Sequence, residues 1–97
     1  MSLSNRQLKF LRGLCHHLKP VVIVGDKGLS ENVQTEIESA LDHHELIKVK
    51  LKTDRETRAA WADQIRQSFG AEPVQSLGQV VSFYRRNPRK TVIELPS

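Results

Sequence analysis

The stretch Leu18-Lys19-Pro20-Val21-Val22-Ile23-Val24-Gly25-Asp26-Lys27-Gly28-Leu29-Ser30 decides the fold. Pro20 cannot continue a helix, and Val21 to Val24 is an apolar, β-branched run without polar alternation, which predicts a strand buried on both faces. Gly25 stops that strand, and Gly25-Asp26-Lys27-Gly28 reads as a tight loop. Ser30 is a natural N-cap for a helix in which Val33, Ile37, Ala40 and Leu41 fall at i, i+4, i+7 and i+8. The unit is strand, glycine loop, helix.

Leu46 to Lys52 alternates: Ile47, Val49 and Leu51 point one way and Lys48, Lys50 and Lys52 the other, so this second strand has one wet, basic face. Upstream, Ser4 with Gln7 forms a capping box, Leu3 and Leu8 are placed as a hydrophobic staple, and a helix starts at Asn5. Leu8, Leu11, Leu14, Cys15 and Leu18 make its apolar stripe, with Arg6, Lys9 and Arg12 on the other side and Pro20 as its stop. Downstream, Asp54 caps a third helix whose apolar side is Trp61, Ala62, Ile65 and Phe69, and Gly70 closes it. Val74 to Leu77 and Val80 to Arg85, separated by Gly78-Gln79, read as a hairpin. Asn87-Pro88 makes a turn, and Thr91 to Leu95 is a candidate edge strand. The order helix, strand, helix, strand, helix, strand, strand predicts a two-layer α/β sandwich on a mixed four-stranded sheet.

At 97 residues the chain suits one domain over residues 1–97 with a single core, and its 38% hydrophobic and 27% charged residues are those of a folding chain. No apolar run exceeds four residues, and the start Met1-Ser2-Leu3-Ser4-Asn5 has no apolar h-region, so neither a membrane span nor a signal peptide is expected. A lone Cys15 can form no internal disulfide and no multi-cysteine zinc site, which fits a reducing, cytoplasmic setting. The net charge of +4 and pI near 9.6 favour a polyanionic partner. That charge is in blocks. Residues 1–19 hold four basic and no acidic groups, residues 48–58 five basic and two acidic, and residues 85–97 four basic and one acidic, whereas residues 20–47 hold one basic and six acidic.

Gly-x-x-Gly between a strand and a helix suits nucleic-acid backbone, because glycine lets a phosphate approach the main chain and the helix start adds unpaired amides and a positive dipole end. The spacing alone is a weak signal, and an ordinary turn is the plain alternative. The single-sign stripe of Arg6, Lys9 and Arg12 favours phosphate contact over a mixed solubility face, while the Lys48, Lys50, Lys52 ladder serves equally to blunt an exposed strand. His16-His17 and His43-His44 lack i, i+4 metal geometry and are read as helix-end histidines beside the negative dipole end. Cys15 falls in the apolar stripe, and no nucleophile or paired-carboxylate pattern stands out, so catalysis, a metal and a cofactor are not expected. With Trp61 and Phe69 assigned to the core, too few aromatics remain for a base-stacking sheet platform.

The run Leu18 to Gly25, the loop to Gly28-Leu29-Ser30, Ala40-Leu41, His44-Glu45-Leu46-Ile47-Lys48-Val49-Lys50, Val74-Gln75, Gly78 and Tyr84-Arg85 together resemble the bacterial YhbY family. That family is the stand-alone form of the CRM (chloroplast RNA splicing and ribosome maturation) domain, and the resemblance runs from about Arg6 to Pro96. It implies a fold like the C-terminal domain of bacterial translation initiation factor three, a KH-like Gly-x-x-Gly loop, and RNA binding on precursors of the large ribosomal subunit without catalysis. Two residues depart from the family pattern: Asp26 puts a negative charge where phosphate is expected, and Glu72 stands where a cysteine is usual. The expected RNA-binding residues are Gly25, Asp26, Lys27 and Gly28, extended by Arg6, Lys9, Arg12, Lys19, Lys48, Lys50, Arg55, Arg85 and Arg86 from the basic blocks. The competing class is a non-catalytic protein-interaction module that docks on ribosomal particles through a protein neighbour. Neither class calls for a membrane or a small-molecule substrate.

Overall fold

The computed structural model describes residues 3–97; Met1 and Ser2, the first two residues of the expected domain, lie outside the described residues. The elements are α1 (Asn5–Cys15), β1 (Pro20–Val24), α2 (Glu31–His44), β2 (Leu46–Leu51), α3 (Arg55–Phe69), β3 (Glu72–Leu77) and β4 (Val80–Tyr84), in the predicted order. The sheet order is β1-β2-β4-β3. β1 and β2 pair in parallel, and β4 is antiparallel to both β2 and β3, so β3 runs with β2 and β4 is inserted between them. Parallel strands cannot be joined by a tight turn, so α2 carries the crossover from β1 to β2 and α3 that from β2 to β3. β3 and β4 are joined by a hairpin, closed at Gly78 with φ 58°.

Val22 pairs with Val49 and Val49 with Val81, which puts these side chains on one face of the sheet. There, with Val24, Ile47, Leu51 and Phe83, they meet Ile37 and Leu41 of α2 and Ile65 of α3. Each such side chain stabilises the fold by roughly 1.5–3 kcal/mol on burial. Leu46, Tyr84 and Val74 face the other way and are covered by Leu11 and Cys15 of α1 with Leu14, Leu18, Ile93 and Leu95. The sandwich of sheet against α2 and α3 is thus supplemented by α1 and the C-terminal segment, which cover one end of the opposite face.

The local signals explain the helix ends. Gln7 N–H donates to Ser4 Oγ at 3.2 Å and Ser4 N–H to Gln7 Oε1 at 3.0 Å, the reciprocal capping box. α1 stops at Cys15, earlier than Pro20 requires, and tightens into i→i+3 turns as His17 N–H reaches Leu14 C=O at 3.2 Å and Leu18 N–H reaches Cys15 C=O at 3.1 Å. α3 ends at Gly70 in the left-handed region, φ 61°.

Three expectations need correction. β1 is not buried on both faces: Val22 and Val24 are buried, but Val21 is 49% and Ile23 59% exposed, because β1 is an edge strand and α1 covers only the far end of that face. The second hairpin has different limits, β3 starting at Glu72 and β4 ending at Tyr84; Pro73 is tolerated because β3 is an edge, and its register shifts between Pro73 and Gln75. Residues 91–95 form no strand. Val92 and Ile93 both donate their N–H to Glu45 Oε1, at 2.8 and 2.7 Å, while Asn87 N–H donates to Oε2 at 2.6 Å. Successive amides of a strand point in opposite directions, so two that converge on one oxygen exclude strand geometry.

Glu45 is fully buried and joins α2 to β2 at φ 62°, an uncommon conformation for a residue with a side chain. Burial and then the Glu45 charge push the Tyr84 phenol above its ordinary pKa, against the pull of Arg86. Glu45→Ala leaves three amides without an acceptor, and we expect a loss on the order of 3 kcal/mol in urea unfolding. Hydrogen exchange gives the specific signature: the Val92 and Ile93 amides should lose protection beyond the global change, while those of Ile37 and Leu41 should not. Retained protection at Val92 and Ile93 would show that the carboxylate does not hold the segment.

Candidate nucleic-acid interface

β1 ends at Val24, and the chain turns at once, with Gly28 N–H donating to Gly25 C=O at 3.0 Å. Gly28 takes φ 64°, a left-handed conformation that glycine adopts without penalty. Ser30 N–H then bonds Gly28 C=O at 2.9 Å, and Ser30 Oγ accepts from Val33 N–H at 3.4 Å, which launches α2. Asp26 and Lys27 stand exposed at the tip. The turn rests on α3: a Cβ at Gly28 would lie 3.3 Å from Trp61 Cζ2. Trp61, which the sequence pattern assigned to the core, is half-buried and supports the loop from below; its helical spacing gave no sign of that second task. Gly25 differs, since its Cβ direction is open and its φ is not positive.

Other segments reach the same end of the sheet. Lys52 N–H bonds Val24 C=O at 2.9 Å, and Leu51 N–H bonds Gln79 C=O at 2.7 Å, so the end of β2 and the β3–β4 turn lie beside the loop. Arg55 is exposed at the start of α3. That helix start already holds an anion of its own. Asp54 accepts from Thr57 N–H at 2.9 Å and from Thr57 Oγ1 at 2.9 Å, and the backbone N–H first, then the hydroxyl, hold its carboxyl below the ordinary range. α2 instead has a neutral cap in Ser30 with Glu31 in its first turn, so of the two helix starts it is the less acidic one, the α3 start holding both Asp54 and Glu56.

Lys48 and Lys50 lie on the sheet face opposite α2 and α3, opposite Ser82 and Val80 of β4, with Ile23 pairing with Lys50 from β1. Lys52 continues the row into solvent. The remaining expected residues are dispersed. Arg6 and Lys9 are exposed on α1, and Lys19 lies between α1 and β1, at the end of β1 away from the loop. Arg12 does not simply face solvent: its Nε donates to Val74 C=O at 3.1 Å and ties α1 to β3. Arg86 is exposed beyond β4, again at the end away from the loop.

Arg85 is committed inside the fold. Its guanidinium bonds Glu38 at 3.0 and 3.1 Å, Asp42 at 2.8 Å and Phe69 C=O at 3.1 Å. Burial works against that charge, but the two carboxylates more than offset it and raise its pKa above the ordinary value. Its positive charge is compensated in place. By contrast, among the described residues no lysine takes part in an ion pair within 4.0 Å.

Fold and site define a small α/β domain with a glycine turn at a helix start beside a lysine-bearing open sheet face. A model of the CRS1 / YhbY (CRM) domain matches residues 3–85. The chain belongs to that family. It is 47% identical over 96 residues, 98% of this chain and 96% of the relative, to a Haemophilus influenzae protein named RNA-binding protein. A Pseudomonas aeruginosa protein named a probable RNA-binding protein is 44% identical over 90 residues, 92% of this chain and 86% of the relative. The solution structure of a Staphylococcus aureus protein, put forward there as RNA-binding, superimposes with a TM-score of 0.82 at 30% identity, covering 98% of this chain and 100% of the other.

Gly28→Ala should lower stability by about 1–2 kcal/mol, since it strains a left-handed residue and presses on Trp61. Gly25→Ala should leave stability unchanged or raise it by up to about 1 kcal/mol, because only the unfolded chain loses freedom there. Thermal unfolding of the pair decides it; equal losses would mean that the left-handed turn is not what requires glycine at position 28.

Proposed function

We propose that this protein binds RNA without catalysing a reaction on it, and that the Gly25 to Gly28 turn meets the phosphate backbone at the start of α2. The observation that carries the proposal is the combination at one end of the sheet of a neutral-capped helix start, a turn that closes through Gly28, and the unpaired Lys27. Lys48, Lys50, Lys52 and Arg55 extend the cationic surface from there, and contacts of this kind position an RNA by its backbone rather than by its sequence. The family and the names of the relatives support RNA as the partner. Within that reading, the protein is a cytoplasmic factor on precursors of the large ribosomal subunit. A second reading, docking through a protein neighbour, draws on the exposed Val21, Ile23 and Leu77 of the open face.

RNA titration at several salt concentrations separates the two. Gly25→Asp places a carboxylate in the turn without backbone strain and should remove most affinity for ribosomal RNA. Lys27→Ala and Lys50→Ala should each reduce the slope of log K against log salt by about 0.7 to 0.9, the share of one phosphate. Parent-like affinity in all three folded variants would eliminate the loop and the sheet face as the interface. In gradient fractionation of cell extract, the protein should travel with large-subunit precursors and be scarce on translating ribosomes; equal occupancy of polysomes would overturn the assembly role.

A further inference from the structure

A groove of about 500 Å³ lies at the end of β1 remote from the glycine turn, between the last turn of α1, the start of β1 and the C-terminal segment. Its size is within the roughly 300–1,000 Å³ typical of small-ligand sites. Leu14, Leu18 and Leu46 make an apolar floor, and Val21 and Val92 stand at its sides. At its rim are Lys19 and Lys48, together with His17 and His44, and no Asp or Glu lines it. These two histidines come from different helix ends, and the groove gives them a common place that their sequence positions did not. Val21 and Val92 are 49% and 52% exposed, so the apolar walls are open to a visitor.

We propose that this groove receives a single unstacked nucleotide of the RNA bound by the protein. The inference rests on the RNA-binding reading above and adds a second, base-directed contact to it. A nucleobase has two apolar faces and carries a phosphate on its sugar. An apolar slot with flat imidazoles and two lysines at its rim meets each part: Leu floor and imidazole for the base, Lys19 and Lys48 for the flanking phosphates. A rim with cations and no carboxylate selects an anionic occupant. Lys48 also belongs to the open sheet face, so the groove is continuous with the proposed backbone-binding surface. A base inside a duplex cannot enter, because its faces are occupied by its neighbours; the nucleotide must come from a bulge, a loop or a single strand. The groove and the glycine turn lie at the two ends of β1, about 16 Å apart along a five-residue strand.

The test compares an RNA hairpin carrying a one-nucleotide bulge with the same hairpin fully paired, each titrated into the intact protein by fluorescence anisotropy. The parent should prefer the bulged hairpin by about tenfold, the size of one base-stacking contact. Val92→Trp fills the groove without changing charge; it should reduce the preference to less than twofold and leave affinity for the paired hairpin within twofold. His17→Ala removes one rim imidazole from an exposed position and should reduce the preference at least threefold, which keeps the proposal falsifiable if the indole disturbs the C-terminal segment. A parent without preference, or preference retained in either folded variant, overturns the proposal. If the parent binds both hairpins equally and Gly25→Asp weakens both, RNA binding stands and the groove proposal fails; no binding to either RNA overturns both. A concentration-dependent dimer in sedimentation, dispersed by Val92→Glu, would give the groove to a second copy of the chain and overturn the nucleotide.

Discussion

The carboxylate of Glu45 is the constraint on which the shape of the open sheet face depends. It is fully buried, at the joint between the second helix and the second strand, and accepts backbone N–H groups from Asn87, Val92 and Ile93 within 2.8 Å. Removing a carboxylate from water costs several kcal/mol, and three short charge-assisted bonds are what offsets that. Its own main chain takes part as well, for Arg85 N–H bonds Glu45 C=O at 2.8 Å. The segment after the last strand is thereby turned back so that Ile93 and Leu95 join the cluster of Leu11, Cys15, Leu46, Val74 and Tyr84. One end of the sheet face is closed and the other left open. The boundary between them is where Val21, Lys48 and the proposed groove lie.

Four of the eight arginines are engaged by the fold, whereas among the described residues no lysine is ion-paired. Arg12 and Arg58 bond backbone carbonyls, and Arg66 and Arg85 pair with carboxylates. A planar guanidinium with several donors satisfies fixed acceptors, whereas an ammonium on a flexible stem is well suited to meet a phosphate whose position is not fixed in advance. Four of the six acidic residues of the stretch 20–47, Glu31, Glu36, Glu38 and Asp42, lie on the second helix, where Glu38 and Asp42 are occupied by Arg85, while Asp26 stands at the loop tip and Glu45 is buried. Acid is therefore concentrated behind the sheet and Lys48 and Lys50 in front of it. A modest net charge of +4 understates the polarity of such a surface.

Elements whose signals are local were legible in the sequence. The capping box at Ser4, the caps at Ser30 and Asp54, the left-handed stop at Gly70 and the alternation of Leu46 to Lys52 each depend on residues within a few positions, and each is found in the structure. Properties set by distant segments were not. An all-apolar run such as Val21 to Val24 has no alternation to reveal which side is uncovered, and that depends on where α1 lies across the sheet. The capture of residues 87–93 depends on one buried glutamate more than 40 positions earlier. At the site, the glycine turn was visible as a motif, but the support from Trp61 was hidden within an ordinary apolar helix face, and nothing local distinguished the engaged Arg12 and Arg85 from free cations.

The two glycines of the turn show why the motif carries less information than its geometry. Gly28 is required by backbone: its φ is positive and the indole of Trp61 closes the space where a side chain would go. Gly25 is required by neither, since its φ is not positive and there is open space around its Cβ direction. A turn needed only to reverse the chain would have no use for the bare main chain at position 25. If a phosphate seats there, as proposed above, absence of a side chain lets it approach the backbone amides at the helix start. Stability therefore reports on Gly28, and the proposed phosphate contact is what a substitution at Gly25 would probe, so within four residues the folding requirement and the proposed function can be tested apart.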